Sequence, residues 1–264
     1  MLRRFAPRND GRVPQDPNFY LFAIPAVILI GLAKGGFTGL GALGTPLMAL
    51  GVDDPVRAAA ILLPILIAQD VVSVAAFRRS CDGRVLAAML PGAAVGIGLG
   101  WLLAARISSD AVMAVLGAIS ILFGAYRLIA ERGGRIAASS ASPPWVGGLF
   151  GIAAGFTSQI AHAGGPPFQM WVMPRRLERD VFVGTSAIFF AVVNWIKVPA
   201  YAALGQFTAA NAIAAALLLP VAVLASLAGV KLVRRVSMER FYTIVYVLMI
   251  VAGGKLLLDG LGMA

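Results

Sequence analysis

Apolar residues fall into eight long runs parted by polar stretches: Phe19–Leu50, Pro55–Phe77, Val85–Ala105, Ala111–Ala130, Trp145–Met173, Val181–Ala203, Phe207–Val230 and Phe241–Leu258. Most of them approach the roughly 20 residues with which a helix crosses about 30 Å of hydrocarbon. None shows the dyad alternation of a barrel strand. The pattern predicts an all-α polytopic membrane protein with about 7–8 transmembrane helices. The connections are short, as at Arg78–Arg84 and Arg106–Asp110, apart from Glu131–Pro144 near the middle of the chain. The predicted organisation is a cytoplasmic tail (1–18), a first membrane repeat (19–130), a linker (131–144), a second membrane repeat (145–258) and a short tail (259–264).

The first and fifth runs exceed a simple crossing, and each is interrupted by a glycine-rich stretch that closes on proline. One reads Gly31-Leu-Ala-Lys-Gly-Gly-Phe-Thr-Gly-Leu-Gly-Ala-Leu-Gly-Thr-Pro46, the other Gly151-Ile-Ala-Ala-Gly-Phe-Thr-Ser-Gln-Ile-Ala-His-Ala-Gly-Gly-Pro-Pro167. Both contain Gly-Phe-Thr followed by glycine and proline, which marks an internal repeat of four segments plus four. Glycine admits dihedrals closed to other residues and proline removes a donor, so such stretches unwind a helix. Unpaired amides are not tolerated against lipid, and the breaks must face protein or a water-filled cavity. Matching breaks in two halves point to a transporter's binding site. Gly96, Gly98 and Gly100, by contrast, read as small residues that let helices pack closely.

Composition agrees: 59% of residues are hydrophobic and only 13% charged, an excess a soluble domain of this size could not bury. The formal charge of +10 would suggest nucleic acid, but the basic residues cluster between apolar runs, as at Arg78-Arg79, Arg175-Arg176 and Arg234-Arg235. That is the pattern of membrane loops among lipid headgroups. Cys81 and His162 are the lone cysteine and histidine, which excludes a disulfide framework and a metal centre built from several such ligands. The tail Met1–Asn18 lacks the apolar run and small-residue cleavage site of a signal peptide. No phosphate-binding loop or dinucleotide fingerprint is present, so neither a cofactor nor an ATPase subunit is indicated. No catalytic constellation suggests an enzyme.

Several polar residues lie where helix packing has no need of them. Lys34 sits in the first break, where it could attract an anion alongside the amides of Gly35 and Gly36, or snorkel to the membrane boundary. Lys197 and Asn194 share a helix face in the sixth run, and Lys197 has the same alternative. His162 lies in the second break with Gln159, Gly164 and Gly165; it could donate to an oxyanion or carry a proton. Asp70, inside the second run, suits pairing with Lys34 or Lys197, or proton coupling.

These halves resemble the sulfite exporter TauE/SafE family of bacterial membrane transporters. The resemblance spans about Phe19 to Leu258. It is sharpest at Gly155-Phe-Thr-Ser-Gln-Ile-Ala-His-Ala-Gly-Gly-Pro-Pro-Phe168 with Met173-Pro-Arg-Arg-Leu177, and continues through Val183-Gly-Thr-Ser-Ala-Ile-Phe-Phe190 with Asn194, Lys197 and Pro199. Lys34-Gly-Gly-Phe-Thr-Gly-Leu-Gly41 fits more loosely, and Gln159 and His162 depart from the usual glycine-rich second repeat. The resemblance implies secondary transport or export of a small anion, such as sulfite, a sulfonate or a related organic anion, across a bacterial inner membrane. A homo-oligomer is compatible with it. The competing class is a membrane scaffold or assembly protein whose glycines pack helices.

Charge distribution bears on topology. If all eight runs cross, basic residues are nearly balanced between the two sides, against the positive-inside rule. If Trp145–Met173 dips in and returns, bending at Ala163-Gly-Gly-Pro-Pro167, almost all fall on the amino-terminal side, leaving Arg57, Arg106 and Lys255 opposite. The expectation is therefore about seven crossings plus one re-entrant hairpin, with the amino end inside and the carboxyl end outside.

Overall fold

The computed structural model describes residues 16–37, 40–41, 44, 47–48, 51–52, 55–103, 109–132, 142–203, 205 and 207–263. The tail before Asp16, most of the linker and the acidic pair at 53–54 lie outside them. Among the described residues the chain is helical, without strands: α1 (Pro17–Lys34), α2 (Pro55–Phe77), α3 (Gly83–Leu103), α4 (Ser109–Arg132), α5 (Pro144–Ala161), α6 (Gly165–Val172), α7 (Arg179–Ala203), α8 (Ala209–Val233) and α9 (Met238–Gly260). Six of these are long and apolar enough to cross a bilayer, and α4 carries a shorter apolar stretch, Met113–Ile129. Large apolar side chains such as Leu21, Leu122, Ile129 and Leu224 are 66–74% exposed. Hydrocarbon solvates them, and the bundle is polytopic.

Packing repeats with the two halves exchanged. α1 runs parallel to α8, with Gly31 against Ala225, Gly35 against Gly229 and Gly36 against Val233. α5 runs parallel to α3, with Gly155 against Ala93 and Gln159 against Gly100. α4 and α9 pair antiparallel, Gly117 beside Gly253 and Gly124 beside Ile250. α2 packs on α7 and α8, and α7 packs on α3. Small residues set these approaches: a methyl group on Gly35 would lie 2.5 Å from Gly229 Cα, and one on Gly96 would lie 2.8 Å from Phe156 N. Gly96 and Gly100 thus serve close packing, whereas Gly98 has nothing within 4 Å.

Both broken segments turn back. After α1 the described residues retrace the helix: Gly41 lies over Ala33, Gly44 over Ile30 and Gly51 over Phe19 and Phe22. After α5, α6 returns until Trp171 covers Gly147 and the Arg175 guanidinium donates to Ser142 Oγ at 3.0 Å. The expected hairpin at Trp145–Met173 is present, and the first segment forms a second one. α1 runs parallel to α8 and α9 runs back along α4, so the end of α9 lies on the face where α1 begins. Gly260 accordingly packs beside Asp110 and Ala114 at the start of α4. We call this the amino face; the opposite arginine face carries the α2–α3 turn and the start of α7. The first hairpin leaves no mark in the loop charges, because Phe19–Leu50 has no internal charge but Lys34.

Candidate functional site

The first break forms because α1 runs into Gly35 and Gly36. Gly36 has φ 141°, a conformation that strains any residue with a Cβ. The amides of Gly35, Gly36 and Phe37 cap the last turn by donating to the carbonyls of Gly31, Ala33 and Leu32. They are therefore engaged within the hairpin. The second break forms at His162, left-handed at φ 53°, whose amide and that of Ala163 close α5 on Ser158 and Thr157. Pro166 and Pro167 then open α6, where a missing N–H is harmless.

Beside these breaks the polar side chains meet. Lys34 Nζ lies 2.5 Å from Asp70 Oδ1, and Asn194 Nδ2 donates to Asp70 Oδ2 at 2.6 Å. Both carboxylate oxygens are therefore engaged. Ser73 Oγ donates to the Lys34 carbonyl at 2.8 Å, and the Phe190 ring centroid lies 5.3 Å from Lys34 Nζ. In the other half, Lys197 Nζ donates to Ser158 Oγ at 3.2 Å and to the Ser158 carbonyl at 3.4 Å. Lys197 is 1% exposed, so it does not snorkel to the interface, and Lys34 is held by its carboxylate. His162 packs edge-on to Tyr201 at 6.1 Å, and both its ring nitrogens are buried without a hydrogen-bond partner.

The two hairpins place corresponding residues at one spacing. Asp70 and Asn194, which touch each other, are 124 positions apart. The same spacing relates Gly31 to Gly155, Lys34 to Ser158 and Ser73 to Lys197. Ser73 binds the carbonyl of Lys34 as Lys197 binds that of Ser158. Each half thus contributes one lysine, but at non-equivalent positions. The Gly-Phe-Thr motifs that align by eye do not coincide: Gly36-Phe37 lies in the first break, whereas Gly155-Phe156-Thr157 is still inside α5.

A single cavity collects Lys34, Asn194, Lys197 and His162 with Gly165. Asp70 joins it through Lys34 and Asn194. Gly35, Gly36, Gln159 and Gly164 lie outside the lining: Gly35 and Gly36 are against α8, Gln159 is against Gly100, and Gly164 is packed under Ala154 and Phe190. The lining adds Ser158, Gln169, Ser186 and Phe190, which the sequence did not single out. Ser158 could have been found only from its place one turn before His162. The cavity volume is ≈ 90 Å³, several times the roughly 10–15 Å³ that one water needs. It has room for an anion of a few atoms. Among the described residues no cluster of side chains suits a metal ion.

A protein-family model described as Sulfite exporter TauE/SafE matches residues 23–256, taking in both hairpins and the cavity. No curated protein and no solved structure matches the chain.

Proposed function

The chain belongs to the sulfite exporter TauE/SafE family, and we propose that it is a secondary exporter of a small anion, either sulfite, a sulfonate or a related organic anion, in a bacterial inner membrane. The observation that carries this reading is Lys197, an ammonium buried between two broken segments and hydrogen-bonded only to the neutral oxygens of Ser158 among the described residues. Burying a charge without an ionic partner is expensive, and an anion in the cavity offsets that cost. Ser158, Asn194 and His162 supply hydrogen-bonding groups around the same space. In this reading Lys197 and His162 hold the anion, Asn194 orients it, and the Lys34–Asp70 pair fixes the first hairpin against α2. Transport then requires that the site open to each face in turn, as expected of repeats packed around a central site.

Purified protein in liposomes tests the proposal. It should move a radiolabelled anion from a panel of sulfur oxyanions, sulfonates, small carboxylates and halides without nucleotide. Folded protein that moves none of them is instead a scaffold.

A further inference from the structure

We infer that the cavity is built for a singly charged anion and discriminates by charge against dianions of the same shape. This rests on the transport reading above and adds a substrate class to it. Two ammonium groups line the cavity, those of Lys34 and Lys197. Asp70 already neutralises Lys34 at 2.5 Å, and its second oxygen is held by Asn194, so the pair forms a closed unit. Lys197 meets only the hydroxyl and carbonyl of Ser158. With both lysines protonated, the described lining residues and Asp70 together carry one net positive charge. His162, as a neutral imidazole, supplies a donor and an acceptor but no charge. A monoanion brings the buried site to neutrality. A dianion leaves one negative charge buried without a counter-charge, which low-dielectric surroundings penalise heavily.

The halves make this asymmetry visible. At the position where the first half has Lys34, the second has Ser158; where the first half has Asp70, the second has Asn194. A carboxylate at 194 would have left the cavity with no net charge. The amide leaves the cation open to a ligand.

The test uses matched pairs in liposomes containing the purified full chain: methanesulfonate against sulfate and perchlorate against sulfate, each pair sharing a tetrahedral centre. Wild type should move the monoanion about ten-fold faster or more in each pair. Asp70→Asn frees Lys34 and adds a second uncompensated cation, so the dianion-to-monoanion ratio should rise about ten-fold. Lys34→Met combined with Asp70→Asn restores the original charge count, and the ratio should return to that of wild type. The double variant removes the buried pair as a unit, so it also supplies a reading if Asp70→Asn alone fails to fold. Equal rates within each pair, faster dianions in wild type, or a double variant that favours dianions would overturn the inference while leaving transport intact. If no tested anion moves, it is the transport reading that fails.

Discussion

Replacing Lys197 with methionine separates a ligand-binding cation from a structural one, because the two lysines of the cavity have different neighbours. Methionine keeps the length and most of the volume of the lysine stem. What disappears is the ammonium and its two bonds to Ser158, at 3.2 and 3.4 Å. A hydrogen bond to a charged group is worth roughly 1.5–3 kcal/mol, so half-saturation of flux should shift upward by roughly 10- to 150-fold. Stability should not fall: substituting a buried charge that lacks an ionic partner by an apolar group is neutral or stabilising. Lys34→Met has the opposite signature. It strips Asp70, 2% exposed, of its cation, leaving Asn194 as its hydrogen-bond donor among the described residues. Breaking such a pair costs about 3–5 kcal/mol, which would appear as a large drop in unfolding temperature. Concentration-dependent flux in liposomes and thermal unfolding in detergent, measured on both variants, check this. A Lys197→Met protein with normal half-saturation, or one destabilised as much as Lys34→Met, would refute the division of roles.

Other consequences follow from the packing and the topology. Gly155→Leu should part α5 from α3, since a methyl group there would already lie 2.8 Å from Ala93 Cα; the loss is about 1–3 kcal/mol or more, read by thermal unfolding, whereas Gly98→Leu should be tolerated. His162→Asn should keep the hairpin, because asparagine accepts left-handed dihedrals, yet lower anion flux; unchanged flux would remove the imidazole from the site. Among the described residues the arginine face holds Arg78, Arg79, Arg84, Arg175, Arg176, Arg179, Arg234, Arg235 and Arg240, against Arg57 and Lys255 toward the amino face; Arg3, Arg4, Arg8, Arg12 and Arg106 lie outside the described residues. On those residues the positive-inside rule predicts a cytoplasmic arginine face, the reverse of the cytoplasmic tail expected from the sequence alone. Cys81, the lone cysteine and partly exposed in the α2–α3 turn, should then resist a membrane-impermeant thiol reagent in intact cells and react after permeabilisation. Labelling in intact cells would invert the orientation.

What the sequence determined by itself was everything that depends on local chemistry and chain length. Runs of about 20 apolar residues have one stable fate in lipid, because every backbone group must be bonded within the segment. Gly35-Gly36 and Gly164-Gly165-Pro166-Pro167 break those runs whatever packs around them, and Lys34, Asn194, Lys197 and His162 stand out because their polarity is costly in hydrocarbon. The rest was decided between residues distant in the chain. Whether Phe19–Leu50 crosses or returns depends on Gly41, Gly44 and Gly51 finding room against α1, which no local pattern states. The partner of Asp70 was open between two lysines until α1 and α2 packed in register, 36 residues apart. Gln159 and Ser158 are neighbours in sequence, but a helix turns each residue by about 100°. One therefore meets Gly100 of α3 and the other meets Lys197. Only the tertiary fold turns two similar broken segments into one cavity with an ion pair on one side and an open ammonium on the other.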